Sequence, residues 1–130
     1  METKNLILCD TNIIIEVYKG NPKVINVLEK IGQNNIAISD VTCGELLYGA
    51  RNKKELQMIK KDLKKLMVFS INEEISSQAI NLIERFTLSN HLNLPDALIA
   101  STAKYYDLNL YTLNVKDFRY IEKLNIFSND

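Results

Sequence analysis

A chain of 130 residues suits one domain, here taken as 1–130. Sixteen basic and sixteen acidic side chains give a formal net charge of zero, with 46% hydrophobic and 25% charged residues. That balance excludes a chain disordered throughout, a small disulfide-stapled fold and a protein basic over its whole surface, while leaving room for a local basic patch.

After Met1 come four polar residues, 2–5, and then only four apolar ones, 6–9. That run is too short for a signal-peptide core, and no stretch approaches the roughly 20 apolar residues of a membrane span. The two cysteines, Cys9 and Cys43, lack metal-ligand spacing and read as buried thiols of a cytoplasmic protein. Residues 6–9 read as a fully buried strand, and a helix starts at Thr11. Residues 22–33 form a helix with Val24, Ile25, Leu28 and Ile31 on one side. Residues 36–38 form a second strand, and Asp40 caps a helix that continues to about Tyr48. Residues 53–66 are helical, with Leu56, Ile59, Leu63 and Leu66 at helical spacing. Residues 68–71 form a third strand. Asn72 caps the next helix, whose stripe is Ile75, Ala79, Leu82, Ile83 and Phe86. Pro95 suits the first turn of a helix running to Tyr106. Residues 110–112 form a fourth strand, and 125–127 a short fifth. Apolar strands alternating with helices predict an α/β domain, with a parallel sheet of four or five strands covered on both faces.

In such sheets ligands gather beyond the carboxyl ends of the strands. Asp10 follows the first strand directly. A helix cap explains it about as well as a function does. Asp96 falls in a first helical turn, where the dipole favours a carboxylate. It shares a face with Ala100 and Ala103, which turns it along the sheet edge rather than into bulk water. Glu45 lies opposite the apolar face made by Cys43, Leu46, Leu47 and Ala50, with Val41 and Tyr48 beside it. Most helical glutamates are simply solvated. Asp117 follows the fourth strand in a loop, a common place for aspartate. Each acid alone has an ordinary structural explanation. Together they are assigned to one edge of one sheet. Like charges so placed call for a divalent cation. An all-oxygen set without clustered histidine or thiolate suits Mg²⁺ or Mn²⁺ over Zn²⁺, and such ions serve phosphoryl chemistry.

The ordered series Asp10-Thr11-Asn12, Glu45 in a helix, Pro95-Asp96-Ala97-Leu98-Ile99-Ala100 and Thr112-Leu113-Asn114-Val115-Lys116-Asp117-Phe118 resembles the motifs of PIN domains, most closely the VapC-type toxins of toxin–antitoxin pairs. The resemblance covers nearly the whole chain. It implies a Mg²⁺-dependent endoribonuclease (Mn²⁺ being an alternative) that cuts RNA, tRNA or rRNA in particular. It further implies neutralisation by a small VapB-like antitoxin, and a homodimer. By position, Asp10, Glu45, Asp96 and Asp117 match the family's acids. Asn12, Thr112 and Asn114 match accompanying polar positions. Asp10 and Asp96 are expected to hold the metal most directly, with Glu45 acting through water. Water would attack in line and leave 5′-phosphate and 3′-hydroxyl ends. Relatives often place a glycine between the Asp96 helix and the next strand. Here Tyr106-Asp107-Leu108 stands in its place, and Asp107 enters a left-handed backbone less easily.

Residues 51–65 hold seven basic side chains against two acidic ones, Glu55 and Asp62. For most of these lysines a solvated helix face suffices. Phosphate steering or docking of a partner is compatible with it, and Arg51, Lys53 and Lys54 are the candidates. Tyr48 is the aromatic best placed for RNA or antitoxin contact. Tyr105, Tyr111, Phe118 and Cys9 are assigned to the core, and His91 to a loop. Two other readings compete. One is a PIN-domain RNA-processing nuclease without an antitoxin. The other is a receiver-like signalling module that binds Mg²⁺ around a phosphorylated aspartate. The second wants an acidic pair after the first strand and an aspartate after a central one. Asp10 has no acidic neighbour, and the third strand leads into Ser70-Ile71-Asn72. Setting the four proposed site acids aside leaves sixteen basic residues against twelve acidic. The neutral total thus conceals an acidic cleft in a moderately basic remainder.

Overall fold

Short apolar strands with no polar face can exist only where helices cover both sides. The chain solves this with four parallel strands in the order β3-β2-β1-β4. These are β1 (Ile7–Cys9), β2 (Ile36–Ser39), β3 (Met67–Phe69) and β4 (Asn109–Tyr111). The computed structural model describes residues 6–129. β1 is central, with Ile7 beside Ile36 on one flank and beside Asn109 on the other.

Alternation along the strands divides the core in two. Leu8, Ala37 and Leu110 face one side, against Ala79, Leu82, Ala97, Ala100 and Ala103. Those residues belong to α5 (Glu73–Asn90) and α6 (Leu94–Tyr105), which pack closely on each other. Ile7, Cys9, Ile36, Ile38 and Tyr111 face the other side, with Ile13, Val24, Leu46, Ile59 and Leu63. These come from α1 (Thr11–Tyr18), α2 (Pro22–Ile31), α3 (Asp40–Tyr48) and α4 (Lys53–Leu63). Cys9 is fully buried, and burial pushes its thiol up to about 12, with Asp10 adding to the rise. Cys43 is only half-buried, so the expectation of two buried thiols holds for one; both are free.

Several boundaries differ from expectation. The helix foreseen over 22–33 stops at Ile31, because Gly32 turns at φ 89° and a short 3-10 turn, Gln33–Asn35, follows. Ser39, not Asp40, caps α3, its hydroxyl accepting from the Thr42 N–H. Asp40 instead accepts from the Ile71 N–H and so ties α3 to the segment after β3. α4 ends at Leu63 rather than 66, and β3 is Met67–Phe69 rather than 68–71. The fifth strand shrinks to one bridge, Leu110 with Ile126, held by hydrogen bonds from the Leu110 N–H to Asn125 and the Phe127 N–H to Leu110, each 2.8 Å. Tyr111 and Phe118 are buried as foreseen, whereas Tyr105 is 42% exposed. It falls on the last turn of α6, where its ring packs edge-on against Tyr106. His91 is the left-handed C-cap of α5, a loop position as foreseen. Among the described residues no helix is long and apolar enough to cross a membrane.

Asp107 takes the place where a glycine was wanted, at φ 55°. The turn lets the Leu108 N–H reach the Ala103 carbonyl at 2.8 Å and deliver the chain to β4. A left-handed backbone costs a side-chain-bearing residue about 1 kcal/mol, less for aspartate than for most. Asp107→Gly is expected to stabilise the protein by up to about 1 kcal/mol. A higher urea midpoint at unchanged slope would show it; a lower midpoint would mean the aspartate side chain itself supports the turn.

Candidate active site

β1, β2 and β3 progress outward in one direction, and the chain then returns to place β4 on the far side of β1. The reversal opens a crevice at the carboxyl ends of β1 and β4, where open α/β sheets bind their ligands. Asp10 and Thr112 stand there.

Asp10 continues the β1 ladder by one bond, its N–H donating to the Tyr111 carbonyl at 2.9 Å. Its Oδ1 accepts the Thr11 N–H at 2.7 Å, so it caps α1 as expected. Its Oδ2 accepts the Thr112 hydroxyl at 2.8 Å. Thr112 Oγ1 in turn accepts the Asn114 N–H at 3.0 Å, which fixes the direction of its proton. The residue is 5% exposed. Burial pushes its carboxyl up, the Thr112 and Thr11 bonds pull it back, and Glu45 and Asp117 push it up further.

Glu45 sits one turn after Thr42 on α3. Thr11 Oγ1 donates to Glu45 Oε1 at 2.6 Å and lies 2.9 Å from Thr42 Oγ1. The single Thr11 proton is committed to Glu45, so Thr42 donates to Thr11. Glu45 itself is exposed, and Tyr48 beside it is 93% exposed. What holds the carboxylate is thus a relay of buried hydroxyls rather than the apolar neighbours read from the helical wheel. Neither Thr11 nor Thr42 was picked out from the sequence. The signal available was the threonine one helical turn before Glu45, on the same face.

Asp96 lies in the first turn of α6, its N–H bonded to the Asn93 cap at 3.0 Å. Burial against the alanine face, then Asp10, Asp117 and Glu45 in that order, push its carboxyl up to about 6. The helix dipole favours the charge, but burial and three acids outweigh it. Its carboxylate receives no hydrogen bond from the described residues. Asp117 ends the 3-10 turn Val115–Asp117, half-buried, and its charge acts on both Asp10 and Asp96. All four acids therefore share one field, and among the described residues no basic group counters it at Asp10 or Asp96.

Among the described residues, no three acids, histidines or cysteines are drawn close enough to form a ready-made metal cage. Uncompensated carboxylates repel, and the Asp10 oxygens are already bonded to Thr11 and Thr112. The donor chemistry nevertheless fits a hard divalent cation: carboxylate oxygens only, partly dehydrated, with Asp96 unpartnered.

The supporting residues behave differently from one another. Asn12 accepts the Leu113 N–H at 3.4 Å and so steadies the loop after β4. Asn114 contributes through its backbone N–H. Arg51 is engaged elsewhere, gripping Glu55 with two nitrogens at 3.0 and 2.7 Å. Lys53 and Lys54 are exposed at the start of α4, and no bond joins them to the acids.

Residues 7–124 match the PIN domain family. The chain belongs to the PIN-domain family. Within it, the chain is 33% identical to "Ribonuclease VapC10" of Mycobacterium tuberculosis over 121 residues, covering 92% of this chain and 90% of that protein. This PIN domain also superposes on a toxin–antitoxin complex from Klebsiella pneumoniae, with TM-score 0.77, 31% identity and coverage of 91% and 94%. A third likeness is to VapBC2 from Rickettsia felis bound to a promoter DNA fragment, with TM-score 0.78, 26% identity and coverage of 96% and 99%. The PIN domain is thus of the VapC ribonuclease type, and the receiver-like reading falls away.

Asp96 also makes the stability of this PIN domain depend on pH. Its folded pKa, about 6, lies above the ordinary 3.8. The folded state therefore holds the proton more tightly. The contribution is fully present below about pH 4 and is lost as pH rises through 6. Asp96→Asn should stabilise the protein at pH 7 in chelator by on the order of 1 kcal/mol, after allowing for solvent screening. The advantage should vanish near pH 4. Melting temperatures across that range check it, and an equal difference at both ends would remove the titration as its cause.

Proposed function

We propose that the crevice between β1 and β4 is the active site of a Mg²⁺-dependent endoribonuclease toxin. The single observation that carries this reading is the set of four acids from four chain segments sharing one field with no cation among them. A divalent ion held by these residues would supply the missing positive charge and would stabilise the charge that develops on the phosphodiester oxygens during hydrolysis. Asp10 and Asp96 are its proposed holders. Asp10 is pre-aimed by the Thr11 and Thr112 bonds and needs no reorganisation. Asp96 keeps both oxygens available. Glu45, held through Thr11 and Thr42, orients the attacking water and takes up its proton. Asp117 closes the fourth side. Water adds to phosphorus, the bond to the 3′ oxygen breaks, that oxygen takes a proton from solvent, and the ends left are a 5′-phosphate and a 3′-hydroxyl.

The experiment is cleavage of a transcript pool by purified protein with Mg²⁺, read by sequencing RNA ends. Asp10→Asn and Asp96→Asn should each lower the rate by at least about a thousandfold with the fold retained. Cleavage persisting in both variants would remove the acids from the chemistry. Thr11→Val keeps the shape and deletes the hydroxyl. It should lower kcat about tenfold, since Glu45 loses its anchor.

A partner also belongs to the proposal. The structural relatives were solved as toxin–antitoxin complexes. Here an open apolar groove of about 370 Å³ runs between α1, α2 and α4, lined by Ile14, Val17, Ile25, Leu28 and Leu66 and rimmed by Asp62 and Lys65. We assign it to the apolar face of a VapB-like antitoxin, within a homodimeric toxin. Val17→Glu should abolish co-purification with the antitoxin while leaving RNA cleavage intact. Retained co-purification would place the partner elsewhere.

A further inference from the structure

Two buried side-chain oxygens lack a hydrogen-bond partner among the described residues, Ser101 Oγ and the Tyr120 hydroxyl. A buried hydroxyl left unpaired is destabilising, so its persistence wants a reason. Tyr120 follows the 3-10 turn that carries Asp117, between the buried Phe118 and Ile121. Its ring packs on Phe86 at 4.9 Å and a 60° tilt, and the Arg85 guanidinium lies 4.8 Å from the centre of the same Phe86 ring. The ring is thus fixed by α5. Its hydroxyl lies where Asp96 and Asp117 are both felt. After burial, these two carboxylates, Asp96 first, are what push the phenol up. The hydroxyl therefore keeps its proton, and toward a carboxylate it can only donate. Asp96 supplies the complementary vacancy, a half-buried carboxylate with no donor of its own. A buried, unused donor and a half-buried, unused acceptor thus lie within reach of each other's charge.

We propose that Tyr120 is a positioning residue of the acidic site, whose hydroxyl donates to the Asp96 carboxylate when the site takes up its cation. The inference rests on the metal-nuclease reading above. With the acids uncompensated, repulsion from Asp10, Glu45 and Asp117 governs where Asp96 sits. With positive charge among them, Asp96 settles toward it, and one of its oxygens turns to Tyr120. The phenol then selects which oxygen remains for the ion, as Thr112 does for Asp10.

The test is Tyr120→Phe, which deletes one oxygen and keeps the packing on Phe86. Mn²⁺ serves as the probe, titrated calorimetrically into metal-free protein. The variant should bind Mn²⁺ about tenfold more weakly and cut RNA with kcat about tenfold lower at unchanged KM. Its melting temperature in chelator should be equal or higher, because an orphaned hydroxyl is gone. A variant matching the wild type in Mn²⁺ affinity and kcat overturns the role, as does a variant whose only change is a lower melting temperature. A wild-type protein that neither binds Mn²⁺ nor cuts RNA overturns the metal reading and this inference with it. The two failures are therefore distinguishable.

Discussion

Everything in the crevice depends on where the Asp10 carboxylate is held. It ends β1, caps α1 and receives the hydroxyl of Thr112 just beyond β4. One side chain thereby joins the central strand, the first helix and the last strand. The arrangement is buried, and a buried anion is tolerated only where its oxygens are satisfied. The sequence supplies this with a backbone N–H on one side and a threonine hydroxyl on the other. Thr11, brought next to Asp10 by the helix start, then reaches across to α3 and holds Glu45. The site thus grows outward from one cap.

The price of that arrangement is electrostatic. Four acids converge where the sheet reverses its winding, and the fold surrounds them with apolar helices rather than cations. Asp96 bears most of the resulting frustration, since the Asp10 charge is met by hydrogen bonds and the Asp96 charge is not. Natural folds tolerate local conflict of this kind at functional positions, where consistency elsewhere offsets it. Here the offset is visible in the small-residue packing of α6 on the sheet and α5. Ala97, Ala100 and Ala103 are each fully buried.

Much of this was legible in the chain. Among the described residues, period and punctuation located the four strands and five of the six helices, with α1 marked only by its start, because each strand is a short apolar run and each amphipathic helix begins at a polar cap or a proline. Asp10, Asp96 and Asp117 were legible through their positions after strands and at a helix start, and Glu45 through its place on the face of α3 opposite the apolar one. What escaped depended on tertiary contact. Ser39 displaced Asp40 as the α3 cap, because a buried hydroxyl at the strand end was nearer the Thr42 N–H, and Asp40 found Ile71 instead. Tyr105 looked like core by its hydrophobicity but lies on the last turn of α6, beyond the buried face. The Thr11–Thr42–Glu45 relay joins residues more than thirty positions apart, and no local pattern encodes such a pairing. Arg51 looked available for phosphate, yet a glutamate four residues on had already engaged it.

The order of the strands has a consequence for how the protein comes into being. Among the four strands β1 leaves the ribosome first and β4 last, yet they are neighbours in the sheet. Until β4 pairs with β1, Asp10 lacks its Thr112 bond and Asp117 has no place in the crevice. No fragment ending before that point can contain the complete constellation. Parallel pairing across most of the chain makes this closure a late event in folding. A chain under synthesis therefore carries its acids dispersed, and assembles them only after β4 and the turn that follows it have emerged.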